Sequence, residues 1–414
     1  MASNNEIIGQ LPKMLSGDEL LACMRRLPNY DKSIRNADAP IRLMELSNLY
    51  DIYIPNAMST EIYSKLYLAM LRSLQKKNSR LMTLQQKENG KAINGLEYCG
   101  IMGGSDSFTI IGASGIGKST AIATSINVME GHKVIEIDSP YMKVIPCLIV
   151  QCPFDSSVKG LLLEVLRRVD ERLETKYHQN ALRTHATIDM LIGIVSEVAL
   201  LHIGLLIVDE IQHVCTSKNG KNLVGMLTQL INNSGISIGM VGTPKSNEFF
   251  TQEIPLARRS LGLEYKKMPF NDDFHFFCKT LYEYQYTNKE AILDDGIIEW
   301  LYEHTAGIAA LVVGLIHDAQ ELAILNGSEI INKANFVDAY KNRLSMMHDF
   351  ISPSIVHNPS TSRPKDKVKI KKELDGTSSI DDYNIIKLAD RAKTENLDML
   401  ALMREHFQVE EVLI

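Results

Sequence analysis

The chain has 414 residues, of which 45% are hydrophobic and 23% are charged, and its formal net charge is −6. This composition is ordinary for a globular protein, and the length exceeds that of one hydrophobic core, so we expect two or three structural units. The negative charge argues against a generally basic nucleic-acid-binding protein, so any DNA contact must be a local patch. The six cysteines lack metal-ligand spacing, which favours reduced thiols in a cytoplasmic protein. No stretch predicts a signal peptide or a membrane span.

The first 95 residues are predicted to be a mixed N-terminal extension. Pro55 favours an extended segment over 53–57, because the residue before a proline avoids the helical region. A helix is predicted over 59–74, where Ser59 is a suitable N-cap and apolar residues recur on one face. The polar stretch 76–91 is predicted to be a surface connection.

From about residue 96 the pattern alternates between strands and helices, which is typical of a parallel sheet flanked by helices. We therefore predict an α/β nucleotide-binding core over 96–270. Its predicted strands cover 107–111, 147–152, 204–208, 236–241 and 261–267, and its predicted helices cover 120–129, 158–175, 187–201 and 222–232.

After residue 270 the strand pattern stops. A small all-α lid is predicted over 271–350, with helices at 272–286, 296–305, 309–326 and 333–343. Residues 351–382 are rich in Pro, Ser and Lys and predict a linker. Apolar residues then fall near one helical face over 384–407. We therefore expect 351–414 to be a linker and a C-terminal helical tail that docks a partner. The alternative is that this helix packs on the lid as part of its core.

The segment 112–120, GASGIGKST, matches the phosphate-loop template of Gly, four residues and then Gly-Lys-Ser. It lies between a predicted strand and a predicted helix. Its glycines let successive backbone N–H groups face one concavity, and the helix N-terminus adds positive potential. Lys118 is expected to reach the β- and γ-phosphates of ATP, and the Ser119 hydroxyl to hold Mg²⁺. The candidate ATP-binding residues are Gly112, Ala113, Ser114, Gly115, Ile116, Gly117, Lys118, Ser119 and Thr120.

Five further residues are candidates for the chemistry at the phosphates. Asp209 and Glu210 end a buried strand, where Asp209 would hold Mg²⁺ through its water and Glu210 would polarise the attacking water. Thr243, at the end of the next strand, would sense the γ-phosphate, or it belongs to a simple Thr-Pro turn. Arg258 and Arg259 are either surface ion-pair residues, or one of them is an arginine finger that reaches the γ-phosphate of the neighbouring subunit. Arg258 is slightly preferred as the finger.

With these residues in place, the chain resembles the AAA+ ATPases, and within them the TnsC/TniB regulators of bacterial transposition, TnsC most closely. The resemblance covers about residues 100–320. Its most specific part is the order DEIQH, GTPK, ARR, since very many ATPases share the phosphate loop. Many AAA+ lids have an arginine after a glycine where this chain has Ala309 and Ala310, so no sensor-2 arginine is identified. The matching segments are GASGIGKST, CPFDSSVKGLLLEVLRRVD, LLIVDEIQHV, GTPKSNEFF, LARRSLGLEY and AGIAALVVGLIHDAQ.

The resemblance implies an AAA+ fold with Walker A at 112–120, Walker B at Asp209 and Glu210, sensor 1 at Thr243, and the finger at Arg258 or Arg259. It implies a bacterial cytoplasmic ATPase that assembles with ATP and Mg²⁺ into a ring or helical filament around duplex DNA. There it would link a target selector of the TnsD/TniQ type to a transposase of the TnsA/TnsB type, and ATP hydrolysis would control disassembly.

Two other interpretations remain open. One is another AAA+ DNA machine, such as a replication initiator or a helicase loader, although no winged-helix or helix-turn-helix module is evident after the lid. The other is a P-loop small-molecule kinase, which the carboxylate pair, the neighbouring arginines and the helical lid all disfavour.

Candidate DNA contacts are few. Lys159 falls in the first turn of a predicted helix that Asp155, Ser156 or Ser157 could cap. A lysine beside a helix N-terminus suits a DNA phosphate. The alternative is that Lys159 is a solvated surface cation. Lys218 and Lys221, in the polar loop 216–222, are weaker candidates. Because no helix carries a base-reading pattern, we expect sequence-independent contacts to the DNA backbone.

Overall fold

The computed structural model describes residues 3–77, 80–100, 107–138, 141–213, 220–247 and 260–345. The chain divides into two compact units, 1–355 and 356–414, and every described residue belongs to the first. The predicted linker and tail, Lys218, Arg258 and Arg259 lie outside the described residues. In the described part of the chain, no helix combines the length and apolar character needed to cross a bilayer.

Six strands form one mixed sheet: Ser107–Gly112 (β1), Ile135–Asp138 (β2), Tyr141–Gln151 (β3), Ile203–Asp209 (β4), Ser237–Gly242 (β5) and Ser260–Tyr265 (β6). Their order across the sheet is β2-β3-β4-β5-β1-β6. Only β2 runs antiparallel to its neighbour, and the other adjacent strands are parallel. The carboxyl ends of β4, β5 and β1 therefore meet at one edge of the sheet.

The five predicted strands are present, and the α/β fold class is confirmed. The sequence did not predict β2, and β3 begins six residues before its predicted start. In β2 buried and exposed residues alternate over only four positions, which is too short a pattern to stand out from a loop.

Fourteen α-helices are described. In the N-terminal part and the α/β part they are Ser3–Gly9 (α1), Gly17–Met24 (α2), Ala39–Glu45 (α3), Ala57–Lys76 (α4), Arg80–Ile93 (α5), Lys118–Val128 (α6), Val158–Leu173 (α7), Tyr177–Arg183 (α8), Ile188–His202 (α9) and Gly220–Ser234 (α10). In the lid they are Asp272–Tyr282 (α11), Asp295–Thr305 (α12), Ala309–Leu325 (α13) and Lys333–Arg343 (α14). Short 3₁₀ helices cover Lys32–Asn36, Leu46–Asp51 and Pro244–Ser246.

The two faces of the sheet have separate hydrophobic cores. Leu206 and Val208 of β4 face the core that α7, α9 and α10 cover, whereas Leu205 and Ile207 face the core formed with α4 and α6. This alternation buries nearly every residue of β4, because both faces of a parallel sheet are covered. The strand that ends in the predicted Walker B carboxylates is thus a central, fully packed element.

The N-terminus of α4 differs from its prediction. Asn56, not Ser59, is the N-cap, and its Oδ1 accepts a hydrogen bond from the Ser59 N–H at 3.1 Å. Ser59 Oγ in turn accepts from the Asn56 N–H at 3.2 Å, which completes a reciprocal capping box.

The prediction of a surface connection over 76–91 is wrong. Residues 80–93 form α5, which packs against α9. Its polar side chains mislead sequence analysis because they are paired inside the protein: Asn89 is buried and donates to Glu197 Oε2 and to the Asn233 carbonyl, each at 3.3 Å. Gln86 donates to the other oxygen of Glu197 at 3.1 Å.

A third hydrophobic core lies in the lid, and part of the N-terminal segment completes it. Leu46, Leu49 and Ile52 are buried there together with side chains of α11, α12 and α13. Arg42 binds both carboxylate oxygens of Glu329, at 2.6 and 2.7 Å, and its hydrogen bonds lower the pKa of that carboxyl. Residues 3–24 and 57–93, in contrast, pack on the α/β part. The N-terminal 95 residues therefore contact both the sheet and the lid.

Lys77 is a buried amine beside the last turn of α9. Its side chain is 2% exposed, and Nζ donates to the Ala199 and Leu200 carbonyls at 3.0 and 2.7 Å. Burial lowers the pKa of Lys77 to about 7, from an ordinary value of 10.5. Between these two values the unfolded chain holds this proton and the folded chain releases it.

This difference predicts a pH-dependent stability. The free energy of unfolding should rise from pH 7 toward pH 10, because the unfolded state binds more protons in that window. Lys77→Met should remove this contribution, so the gain in stability between pH 7 and pH 9.5, measured by urea unfolding, should be smaller than in the wild type. Lys133→Met, on the surface, is the control. Equal gains in all three proteins would contradict the assignment.

Candidate nucleotide site

The loop between β1 and α6 is shaped by three glycines. Gly115 and Gly117 have φ of 81° and 100°, and Gly117 is the N-cap of α6. A Cβ at Gly112 would lie 2.6 Å from Ile116 Cδ1 and 2.9 Å from the Tyr265 carbonyl oxygen. Only glycine satisfies these positions without strain, so the loop can expose its backbone N–H groups at the start of the helix.

Lys118 folds back over this loop. Its Nζ donates to the Gly112 and Ala113 carbonyls at 2.7 and 2.9 Å. Burial lowers the pKa of Lys118, and the nearby carboxylates of Asp209 and Glu210 partly oppose that shift. The amine is thus held in place by backbone dipoles at the mouth of the loop.

Two carboxylates stand at the end of β4, and the first of them contacts the hydroxyl of Ser119. Ser119 Oγ donates to Asp209 Oδ2 at 3.4 Å, and burial raises the pKa of Asp209. Glu210 has φ of 58°, an uncommon conformation for a residue other than glycine, and its N–H donates to Asp209 Oδ1 at 2.8 Å. The turn leaves the Glu210 side chain exposed at the edge of the sheet.

Thr243 lies directly after β5. Its Oγ1 is buried and has no hydrogen-bond partner among the described residues. Its backbone N–H donates to Gln212 Oε1 at 3.3 Å. An orphaned buried hydroxyl is uncommon in a folded protein and suits a position that a ligand completes.

These groups line one cavity of about 230 Å³. The structure thus brings together the phosphate loop, both Walker B candidates and the sensor candidate, although the loop and Thr243 are more than 120 residues apart. The lining also includes Gln212, which the sequence analysis did not single out. The described residues of this cavity are Ser114, Gly115, Gly117, Lys118, Ser119, Thr120, Asp209, Glu210, Gln212, Gly242, Thr243 and Ala310.

Lys159, the first candidate for a DNA contact, is not among the residues that line this cavity. Lys159 is exposed in the first turn of α7, whose N-cap is Ser157: Ser157 Oγ accepts from the Gly160 N–H at 3.1 Å. Lys221 lies near the start of α10. Phe154, just before α7, is 84% exposed, and its ring packs against His213, with 5.6 Å between the ring centroids.

A second cavity, of about 250 Å³, adjoins the phosphate loop, and the sequence analysis missed it. One wall is the N-terminal segment 50–59, and the opposite wall is lid helix α13 with Ala309 and Ala310. The Ala310 N–H donates to the Gly115 carbonyl at 3.0 Å, so small side chains let the lid touch the loop directly. The mainly apolar lining suits a flat, weakly polar group such as a nucleobase. In the sequence, the predicted extended segment around Pro55 was the one sign of the wall formed by residues 50–59.

The loop, its helix and the strand order together define the architecture. Residues 102–250 match the family model of an AAA domain. The chain has the AAA+ P-loop fold, with a mostly parallel six-stranded sheet between helices. A comparison with curated proteins returned no match.

Solved structures that are similar to this chain include the following three. The ORC1 protein of Aeropyrum pernix in complex with DNA is 16% identical, with 65% of each chain covered and a TM-score of 0.42. Drosophila ORC bound to DNA is 10% identical, covering 98% of this chain and 84% of that one, with a TM-score of 0.44. The Thermotoga maritima RuvB Holliday junction branch migration motor is 12% identical, with 68% of each chain covered and a TM-score of 0.35. The chain spans a little under two thirds of the Aeropyrum protein.

The contact between loop and lid generates a prediction. A Cβ at Gly115 would lie 3.0 Å from Ile308 Cγ2 and 3.3 Å from Ala310 Cβ, and its φ of 81° already disfavours alanine. Gly115→Ala should therefore weaken binding of a fluorescent ATP analogue by about tenfold or more. Gly314→Ala, in α13, is the control, since its added Cβ meets nothing within 4 Å. Equal affinity of the two variants would mean that the loop does not contact the nucleotide.

Proposed function

We propose that the chain binds ATP with Mg²⁺ and hydrolyses it at the cavity between β1, β4 and β5. The observation that carries this proposal is the convergence of a buried amine, a hydroxyl and two carboxylates on a glycine-shaped loop at a helix N-terminus. These groups belong to Lys118, Ser119, Asp209 and Glu210. The combination is the one that phosphoryl transfer from a nucleotide requires.

The residues fit a nucleotide-bound magnesium ion. Ser119 and Asp209 already lie within hydrogen-bond distance and would hold the ion, which supplies charge neutralisation at the phosphates. Lys118 Nζ would exchange its two backbone carbonyl partners for phosphate oxygens. The orphaned Thr243 Oγ1 offers a further hydroxyl at the far side of the same cavity.

Glu210 is the residue that we assign to the attacking water. Glu210 lines the cavity, and the positive φ of this residue turns the chain at the end of β4. There it would orient a water molecule and accept its proton. The adjoining apolar cavity would hold the base between segment 50–59 and α13, which places the nucleotide across the junction of the core and the lid.

We further propose that this ATPase acts as a regulator of DNA transposition of the TnsC type. The proposal is supported by the order DEIQH, GTPK, ARR and by the family resemblance over about residues 100–320. In this role the chain assembles as a ring or helical filament on duplex DNA in the bacterial cytoplasm. It then links a TnsD/TniQ-type target selector to a TnsA/TnsB-type transposase. Arg258 or Arg259 would complete the site of the neighbouring subunit, so that hydrolysis depends on assembly.

DNA contact is assigned to the backbone of the duplex. Lys159 is exposed beside the N-terminus of α7, where its charge and the helix dipole both favour a phosphate. Lys218 and Lys221 are further candidates on the segment that follows β4.

The hydrolytic assignment predicts a separation of binding from catalysis. Glu210→Gln should lower the steady-state rate of ATP hydrolysis by about 10²-fold or more, because the water loses its proton acceptor. Its affinity for ATP should change little, since Lys118, Ser119 and Asp209 remain. Glu299→Gln, an exposed carboxylate of the lid, is the matched control. Hydrolysis at the wild-type rate in Glu210→Gln would show that another group activates the water.

The DNA assignment predicts a change in salt dependence. Lys159→Ala should weaken binding to duplexes of any sequence and reduce the slope of log K against log salt concentration by about one. Lys279→Ala, which changes an exposed lysine of the lid, is the control. DNA binding by both variants is measured by fluorescence anisotropy with an ATP analogue present. A slope equal to that of the control would remove Lys159 from the interface.

A further inference from the structure

Gln212 connects the two sides of the cavity. Its Nε2 donates to Glu210 Oε2, and its Oε1 accepts from the Thr243 N–H at 3.3 Å. One amide side chain therefore bridges the loop after β4 and the loop after β5. Gln212 itself lines the cavity beside both partners.

The backbone around this bridge is closely fitted. The Ile211 N–H donates to the Val241 carbonyl at 2.9 Å, which holds the loop after β4 against the end of β5. A Cβ at Gly242 would lie 2.8 Å from Ile211 Cγ2 and 3.1 Å from Gln212 Oε1. Glycine at 242 thus leaves the room that the amide occupies.

The bridge also explains the direction of the Glu210 side chain. The Glu210 side chain is exposed at the edge of the sheet, where several rotamers are available to it. A neutral amide donor bound to Oε2 restricts these rotamers and leaves Oε1 able to accept from a water molecule. An amide does this without adding charge to a cavity that already contains two carboxylates.

We propose that Gln212 is a positioning residue for ATP hydrolysis, which holds the Glu210 carboxylate for the attacking water and couples it to Thr243. This inference rests on the proposed ATPase function. Because the same side chain contacts the Thr243 backbone, a displacement of that residue by the γ-phosphate is transmitted to Glu210. Gln212 itself neither accepts the proton nor contacts the phosphates.

Three full-length variants test this role through the split between kcat and KM. Gln212→Ala should lower kcat by about tenfold or more and leave KM for ATP within about threefold of the wild-type value, because only the orientation of the water is lost. Gln212→Asn should not rescue kcat, since its amide is one methylene too short to reach both partners. Gln10→Ala removes an exposed amide that donates to the Glu136 carbonyl, and it should behave as wild type.

A fourth variant removes the two hydrogen bonds with little change in side-chain size. Gln212→Met lacks the amide that contacts Glu210 and Thr243. Its kcat should fall to about the level of Gln212→Ala, and its KM for ATP should stay within about threefold of the wild-type value.

The outcomes separate this inference from the ATPase proposal. A wild-type protein that hydrolyses ATP, with Gln212→Ala unchanged in kcat, would overturn the positioning role alone. An increase in KM without loss of kcat would also overturn it, because the amide would then serve nucleotide binding. If Gln212→Ala does not fold, the kcat and KM of Gln212→Met decide. A folded wild type without hydrolysis would contradict the ATPase function itself.

Discussion

The site depends on the position of β5, which is hydrogen-bonded to β1 on one side and to β4 on the other. Ile110 pairs with Val241 and Met240 pairs with Val208, so the three strands end at nearly the same level. Parallel strands deliver their carboxyl ends to one edge, and the loop that follows each strand therefore opens into the same space. A phosphate loop, a carboxylate pair and a threonine from distant parts of the chain become neighbours through this pairing alone.

Burial has opposite effects on the two charged groups that face each other in the cavity. It lowers the pKa of Lys118 and raises the pKa of Asp209, so each group is shifted toward its neutral form. Their mutual attraction only partly offsets this cost of removing charge from water. An anionic ligand beside Lys118, or a cation beside Asp209, would stabilise the charged forms. The cavity is thus electrostatically incomplete without such partners.

The sequence was informative where a function depends on neighbours along the chain. The glycines and Lys118 of the phosphate loop have a fixed spacing, and the end of β4 is recognisable from its apolar run before Asp209. Helix α5 was missed because its buried Asn89 is satisfied by Glu197, more than 100 residues away. The second cavity was missed because its walls, the N-terminal segment and α13, are also far apart in the sequence. Likewise, nothing local to Gln212 shows that its amide reaches Thr243.

The path of the N-terminal segment determines how the lid can move. The chain leaves the α/β part after Met24, joins the lid core between Tyr30 and Ile52, and returns at α4. The outgoing and returning segments are joined by a single antiparallel bridge between Arg26 and Tyr53. The second junction is the short stretch between β6 and α11. The return from Ile52 to Ala57 spans at most about 18 Å when fully extended. Two short junctions would restrict any movement of the lid relative to the α/β part mainly to rotation about the line that joins them.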